Sequence, residues 1–230
     1  MNKEKYLNFP IQLLAGFIIE PQKVLNEIIY YALYVNSLPL EFGTEIQKMK
    51  ASAKTYGITL GDCAGALKNG KLLYESIPTK SPKTGINKTM LFDFYSNEKT
   101  EFDKACLLGF LAIKSILGTK SYCKVTNLYL WARMDGKTNT IVEVSELSNE
   151  VKKYANRYQT ENIKNELIFN WHLIYYSHFT RGFYVSLKMS LEDLIFEAEK
   201  KRKSLKKNQQ KELQKEALKK AMNRLNNTPP

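Results

Sequence analysis

A mainly α fold, with one small β-hairpin and a basic carboxy-terminal helix, is what this sequence predicts. Apolar residues recur at three- and four-residue intervals through most of the chain, the mark of amphipathic helices. Between His172 and Lys188 two short runs read at period two, Leu173, Tyr175 and Ser177 on one face of the first and Phe183, Val185 and Leu187 on one face of the second. From Lys200 onwards helix-forming lysine, glutamate, leucine and alanine dominate.

The 230 residues leave room for one large or two small domains with a real core. No apolar run approaches the roughly 20 residues of a membrane span. The start, MNKEKYLNFPIQLL, lacks the long apolar region and cleavage site of a signal peptide, so a cytoplasmic protein is expected, without membrane association. Cys63, Cys106 and Cys123 are widely spaced, odd in number and outside any CxxC, which suits reduced thiols. His172 and His178 are the only histidines, and no cysteine or carboxylate pattern joins them; no metal and no cofactor is expected. With no phosphate-binding frame and no nucleophile–base pairing, the chain does not read as an enzyme. The net charge of +12 favours a polyanionic partner. It divides as +3 over residues 1–100, +4 over 101–190 and +5 over 191–230, so the last 40 residues are the most densely positive.

Residues 1–98 read as a helical amino-terminal domain. Ile11, Leu14, Ala15 and Ile18 recur at helical spacing before Pro21 breaks or restarts the helix. Val24, Leu25, Ile28, Ile29, Ala32 and Leu33 form a second stripe that ends at Pro39. A third helix from Thr44 to Thr55 leads into Tyr56-Gly57-Ile58 and then Thr59 to Ile77. Ala53, Gly57 and Ile58 have the small-residue and glycine-turn spacing of a helix-turn-helix. However, Gly61, Asp62, Gly65 and Gly70 weaken the following helix and offer little to read bases, so a plain helical hairpin is favoured. Residues 78–89, PTKSPKTGINKT, read as a surface linker, with the domain boundary there or near Glu98–Glu101.

Residues 99–189 read as a second domain. Thr100 caps a helix to Gly118 whose apolar middle should be deeply buried. Lys124 to Gly136 reads as a helix capped by Thr126, and Ile141 to Val144 as a short strand. Ser145 caps a short helix with Leu147, Val151 and Tyr154 or Ala155 inward. Asn156-Arg-Tyr-Gln has the form of a capping box, so a second helix restarts at Arg157. Its inner face is Ile163, Leu167 and Trp171; Asn162, Asn165 and Phe169 lie opposite, with Glu161 at the edge. Two alternating strands then flank Phe179-Thr-Arg-Gly182, where the glycine permits a tight turn.

Through NRYQTENIKNEL and the WHLIYY…RGFYVS hairpin, residues 100–188 resemble the winged helix-turn-helix superfamily. The resemblance implies a protein that binds double-stranded DNA, often as a homodimer, in replication initiation or transcription control; size and composition point to a bacterium, plasmid or phage as the setting. It also implies base reading from the start of the second helix, by Arg157, Tyr158, Asn162 and Asn165, since arginine suits guanine and amides suit adenine. Lys152, Lys153 and Lys164 would hold phosphates, and Arg181 at the hairpin tip would touch the backbone or minor groove. Some winged helices bind proteins, so the alternative is a non-enzymatic interaction module such as a phage-encoded inhibitor or adaptor.

Residues 190–230 read as a helical tail. Ser190 caps it, and Leu191, Leu194, Ile195 and Ala198 pack back on the domain. Lys201, Arg202 and Lys203 open a basic stretch suited to DNA phosphates.

Overall fold

The computed structural model describes residues 5–177 and 182–226. It is mainly helical, with two small antiparallel sheets. The chain begins with strand β1 (Tyr6–Pro10), which turns Leu7 and Phe9 into the core, followed by a single 3-10 turn at Ile11–Leu14. The helix expected here does not form. Its apolar spacing belongs to that one turn and to an irregular bend closed by Gly16 at φ +77°, a conformation that favours glycine.

Helix α1 (Pro21–Ser37) starts on its proline, as the sequence predicts. Helix α2 (Glu45–Tyr56) is opened by a reciprocal Thr44–Gln47 capping box and closed by left-handed Gly57. Helix α3 (Cys63–Ser76) is capped by Asp62. Gly70 in α3 has a packing reason: a Cβ there would stand 2.5 Å from the Tyr30 carbonyl oxygen, so glycine lets α3 lie directly against α1. The supposed linker contains strand β2 (Lys83–Asn87), which pairs antiparallel with β1 from Tyr6↔Asn87 to Pro10↔Lys83. Its low apolar content hides it in the sequence; Ile86 and Thr84 are buried, and Gly85 leaves room for the Asn8 side chain.

Helix α4 (Lys88–Ser96) leads to α5 (Glu101–Leu117), capped by Thr100 as expected and buried along most of its length. Helix α5 packs on β2, the Thr84 hydroxyl donating to the Leu111 carbonyl at 2.9 Å and the Lys114 ammonium to that of Gly85. On its other sides α5 meets the helices that follow, so buried side chains from both sides of residue 98 belong to one continuous core.

Strand β3 (Tyr122–Val125) precedes α6 (Asn127–Met134), which Thr126 caps. The segment from Lys124 thus begins as strand, and β3, not Ile141–Val144, is the first strand of the second sheet. Val144–Glu146 forms a 3-10 turn instead. Helix α7 (Asn149–Lys152) is a single turn capped by Ser148, not Ser145, because the Ser148 N–H is held by Asp135 Oδ2 at 3.1 Å and fixes where the chain can turn. Helix α8 (Arg157–Asn170) starts at the predicted residue. It ends with His172 at φ 57° and the Leu173 N–H returning to the Leu167 carbonyl at 2.9 Å, a left-handed closure that starts the hairpin at the next residues.

Strands β4 (Ile174–Tyr176) and β5 (Phe183–Ser186) pair antiparallel, giving the sheet order β3-β5-β4. The central strand β5 is buried on both faces. Phe183 and Val185 enter the main core, while Tyr184 meets Leu194 and Ala198 of helix α9 (Leu191–Asn226). Ser190 caps α9, and Tyr122 and Tyr176 hold its first turns through hydrogen bonds to Glu197 and Glu199. Leu191 itself points to solvent. At 1.5 Å per residue α9 runs roughly 50 Å, and its side chains from Lys203 to Glu216 are exposed.

Candidate nucleic-acid interface

Helix α8 is placed by its cap and its inner face. The Asn156 side-chain carbonyl oxygen accepts the Gln159 N–H at 2.9 Å, while its amide donates to the Lys153 carbonyl at 3.0 Å. One half of the predicted capping box is thereby made, and the Asn156 amide ties the new helix to the end of the preceding one. Ile163 and Leu167 are buried against α5, where Gly109 has no side chain to keep them away: a Cβ there would lie 2.9 Å from Ile163 Cγ2. Trp171 lies past the helix end, half-buried, with its ring 5.0 Å from that of Phe110. The Trp131 indole donates to the Thr160 hydroxyl at 3.0 Å, which in turn donates to the Tyr154 carbonyl at 3.2 Å, locking α6 and the α7–α8 turn together.

What remains open on α8, ahead of its exposed last residue Asn170, is an arc of Arg157, Tyr158, Glu161, Asn165 and Phe169. Tyr158 is 72% and Phe169 77% exposed, unusual for large rings without a partner. Arg157 and Asn165 lie on this arc as the sequence predicts, but Asn162 is half-buried at its margin. Arg157, Glu161 and Asn165 follow at intervals of four, so they share one stripe.

Lys164 requires a correction. Its side chain is only 4% exposed and does not face outwards. The ammonium sits 4.1 Å from the centre of the Phe183 ring and 5.5 Å from that of Tyr175, and it donates to Glu161 Oε1 at 2.9 Å. A buried ammonium is stable only when a counter-charge and polarisable surfaces replace its water, and these three groups do so. Lys164 therefore joins α8 to both strands of the hairpin and is not placed to meet a phosphate. Lys164 and Glu161 line an open cleft of about 590 Å³ with Thr126, Asn127, Gly182 and Phe183, between the start of α6, α8 and the hairpin.

The remaining cations are scattered. Lys153 is exposed and paired with Glu101 at 3.2 Å; Lys152 is half-buried. Arg181 lies outside the described residues. Lys201 stands over the Tyr122 ring at 4.6 Å, Arg202 is held by Glu199 at 2.6 Å, and Lys203 is exposed. The structure thus brings Arg157, Tyr158 and Asn165 together on one open face, while Lys201, Arg202 and Lys203 belong to α9 behind the sheet.

Sequence reasoning misses Lys124. It is exposed on β3, and its Cε lies 3.4 Å from where a Cβ on Gly182 would stand, so it flanks the base of the hairpin. The signal that could have found it is the period-two pattern of Tyr122–Val125, with Cys123 and Val125 inward. Gly182 at φ +101° is required there, because a Cβ would come within 2.4 Å of the Val125 carbonyl oxygen.

Among the described residues no group of three or more His, Cys, Asp or Glu side chains could hold a metal ion, and no helix is long and apolar enough to cross a membrane. No family model, curated protein or solved structure matches this chain.

Proposed function

We propose that this chain is a sequence-specific binder of double-stranded DNA, of winged-helix type, and not an enzyme. The observation that carries the reading is the setting of α8. It follows a short capped helix and a tight turn, presents an open face, and runs directly into a hairpin in a sheet of order β3-β5-β4. Inserting such a helix in the major groove brings its first turns to the base edges and the hairpin to the sugar–phosphate backbone. Arg157 and Asn165 then have the donors and acceptors to pair with guanine and adenine, with Tyr158 beside them. Lys152, Lys153 and Lys124 supply cations for the phosphates around it, with Arg181 the further candidate from the sequence of the hairpin, and the net charge of +12 supplies long-range attraction. Replication initiation or transcription control in a bacterium, plasmid or phage is the setting that suits this reading.

The test is a mobility-shift series with a pool of random-sequence duplexes from roughly 50 to 200 mM salt, the range over which phosphate contacts weaken most steeply. Saturable, site-selective binding that falls steeply with salt is expected. Arg157→Ala and Asn165→Ala should each reduce discrimination at one base position by about 5- to 150-fold while the circular dichroism spectrum stays unchanged. Absence of any shift at the lowest salt would sink the reading.

One observation favours a second reading. Exposed Tyr158 and Phe169 on one arc are the kind of rings that anchor protein interfaces, so a protein partner on the α8 face is the alternative.

A further inference from the structure

A carboxylate in the middle of a face proposed to meet DNA calls for an explanation, because it repels phosphates. Glu161 lies between Arg157 and Asn165 on the open stripe of α8, its side chain 48% exposed. It is fixed there. Oε1 accepts a hydrogen bond from Lys164 at 2.9 Å, and Lys164 is itself immobilised between Phe183 and Tyr175. Among the described residues Oε2 accepts no hydrogen bond. The lysine charge behind the carboxylate offsets part of its field at the distance of a phosphate, yet leaves Oε2 an acceptor at hydrogen-bond range. A side chain so held loses little rotamer freedom on binding, which is the condition for a discriminating contact.

Resting on the DNA-binding reading above, we propose that Glu161, positioned by Lys164, is a specificity-determining residue that selects cytosine in the major groove. Cytosine presents its N4 amino group there as a donor, the natural complement of a carboxylate oxygen. Guanine presents only acceptors to that edge, thymine an acceptor and a methyl group, and adenine sets its N6 amino donor beside the N7 acceptor, so a carboxylate favours cytosine over all three. The role of Lys164 is indirect: it holds the carboxylate aimed, and it touches no base.

The experiment is selection from random-sequence duplexes by the full chain and by Glu161→Gln, which keeps size and burial but replaces one acceptor with an amide donor. The natural chain should enrich cytosine at one position, with about a tenfold loss of affinity when that base is changed. Glu161→Gln should move the preference at that position to adenine, the base suited to an amide, and leave the other positions intact. Glu161→Ala should erase the preference without creating another, and Lys164→Met should blur it at the same position. If Glu161→Gln instead keeps every preference and binds all sequences more tightly, the carboxylate is only a repulsive rim and the proposal falls while the DNA reading stands. If the natural chain selects no sequence at all, both fall together.

Discussion

Burial pushes the Cys106 thiol up to about 12 and that of Cys123 to about 11, far from the range in which a thiolate forms near neutrality. For Cys106 the carboxylates of Glu166 and Asp103 add to the effect; for Cys123 nearby Lys120 and Lys201 oppose it without overcoming the loss of water. Cys63 differs, since it opens α3 and is only half-buried. Alkylation with iodoacetamide at mildly alkaline pH should therefore label Cys63 first, while Cys106 and Cys123 react no faster than the protein unfolds. Peptide mass spectrometry over a time course reads this directly, and equal labelling of all three would contradict the packing described around α5 and β3. The same contrast between burial and compensation separates Lys164 from the exposed lysines. Its burial is not legible in the sequence, because the helical wheel places residue 164 between the inner and outer faces and only the later hairpin rings decide which way it turns.

At the scale of elements, the features written into adjacent residues are legible in the sequence and those made by distant partners are not. Thr44, Thr100, Thr126, Asn156 and Ser190 each cap the helix that their sequence neighbours announce, since the acceptor and the N–H it meets lie three residues apart. Strands β1, β2 and β3 escape a reading of the sequence, because each is a strand only by virtue of a partner about 60 to 80 residues away, as Tyr6↔Asn87 and Tyr122↔Ser186 show. The wheel puts Asn162 in the open face of α8 and Glu161 at its edge; packing on α5 and the hairpin turns the helix so that Glu161 is open and Asn162 half-covered. Because Asn156 makes two bonds at the break between α7 and α8, removing it should act on the element as a whole. Asn156→Ala should lower stability by about 1 to 2 kcal/mol, the range for a missing N-cap, and weaken selective DNA binding more than salt-sensitive background binding. Urea unfolding and the duplex shift, measured on the same preparation, check both parts. A variant as stable as the natural chain would mean that the inner face alone sets where α8 begins.

For the whole molecule the decisive quantity is where the charge sits relative to the α8 face. The arc itself holds one cation, Arg157, against the carboxylate of Glu161, so on the proposed DNA-binding reading shape and hydrogen bonding weigh more there than attraction. The attraction has to come from elsewhere, and α9 is the densest source. Residues 203–230 contain eight of the 35 basic and two of the 23 acidic residues, so removing them halves the net charge from +12 to +6. Their removal should leave the fold intact. Among the described residues the contacts that anchor α9 on the sheet reach as far as Lys201 over the Tyr122 ring, and the side chains from Lys203 to Glu216 are exposed. A chain ending at Arg202 should melt at the temperature of the full chain. It should bind every duplex more weakly by a similar factor, keep the same order of preference among sequences, and show a salt dependence shallower by about one log–log unit for each phosphate that the tail neutralises. A salt series on one selected and one scrambled duplex separates the outcomes. Equal weakening of both, with a shallower slope, makes α9 the electrostatic arm of a reader that resides in α8. Unchanged slopes would leave the basic helix without a role on DNA, and disappearance of the preference alone would move the reading residues from α8 into the tail.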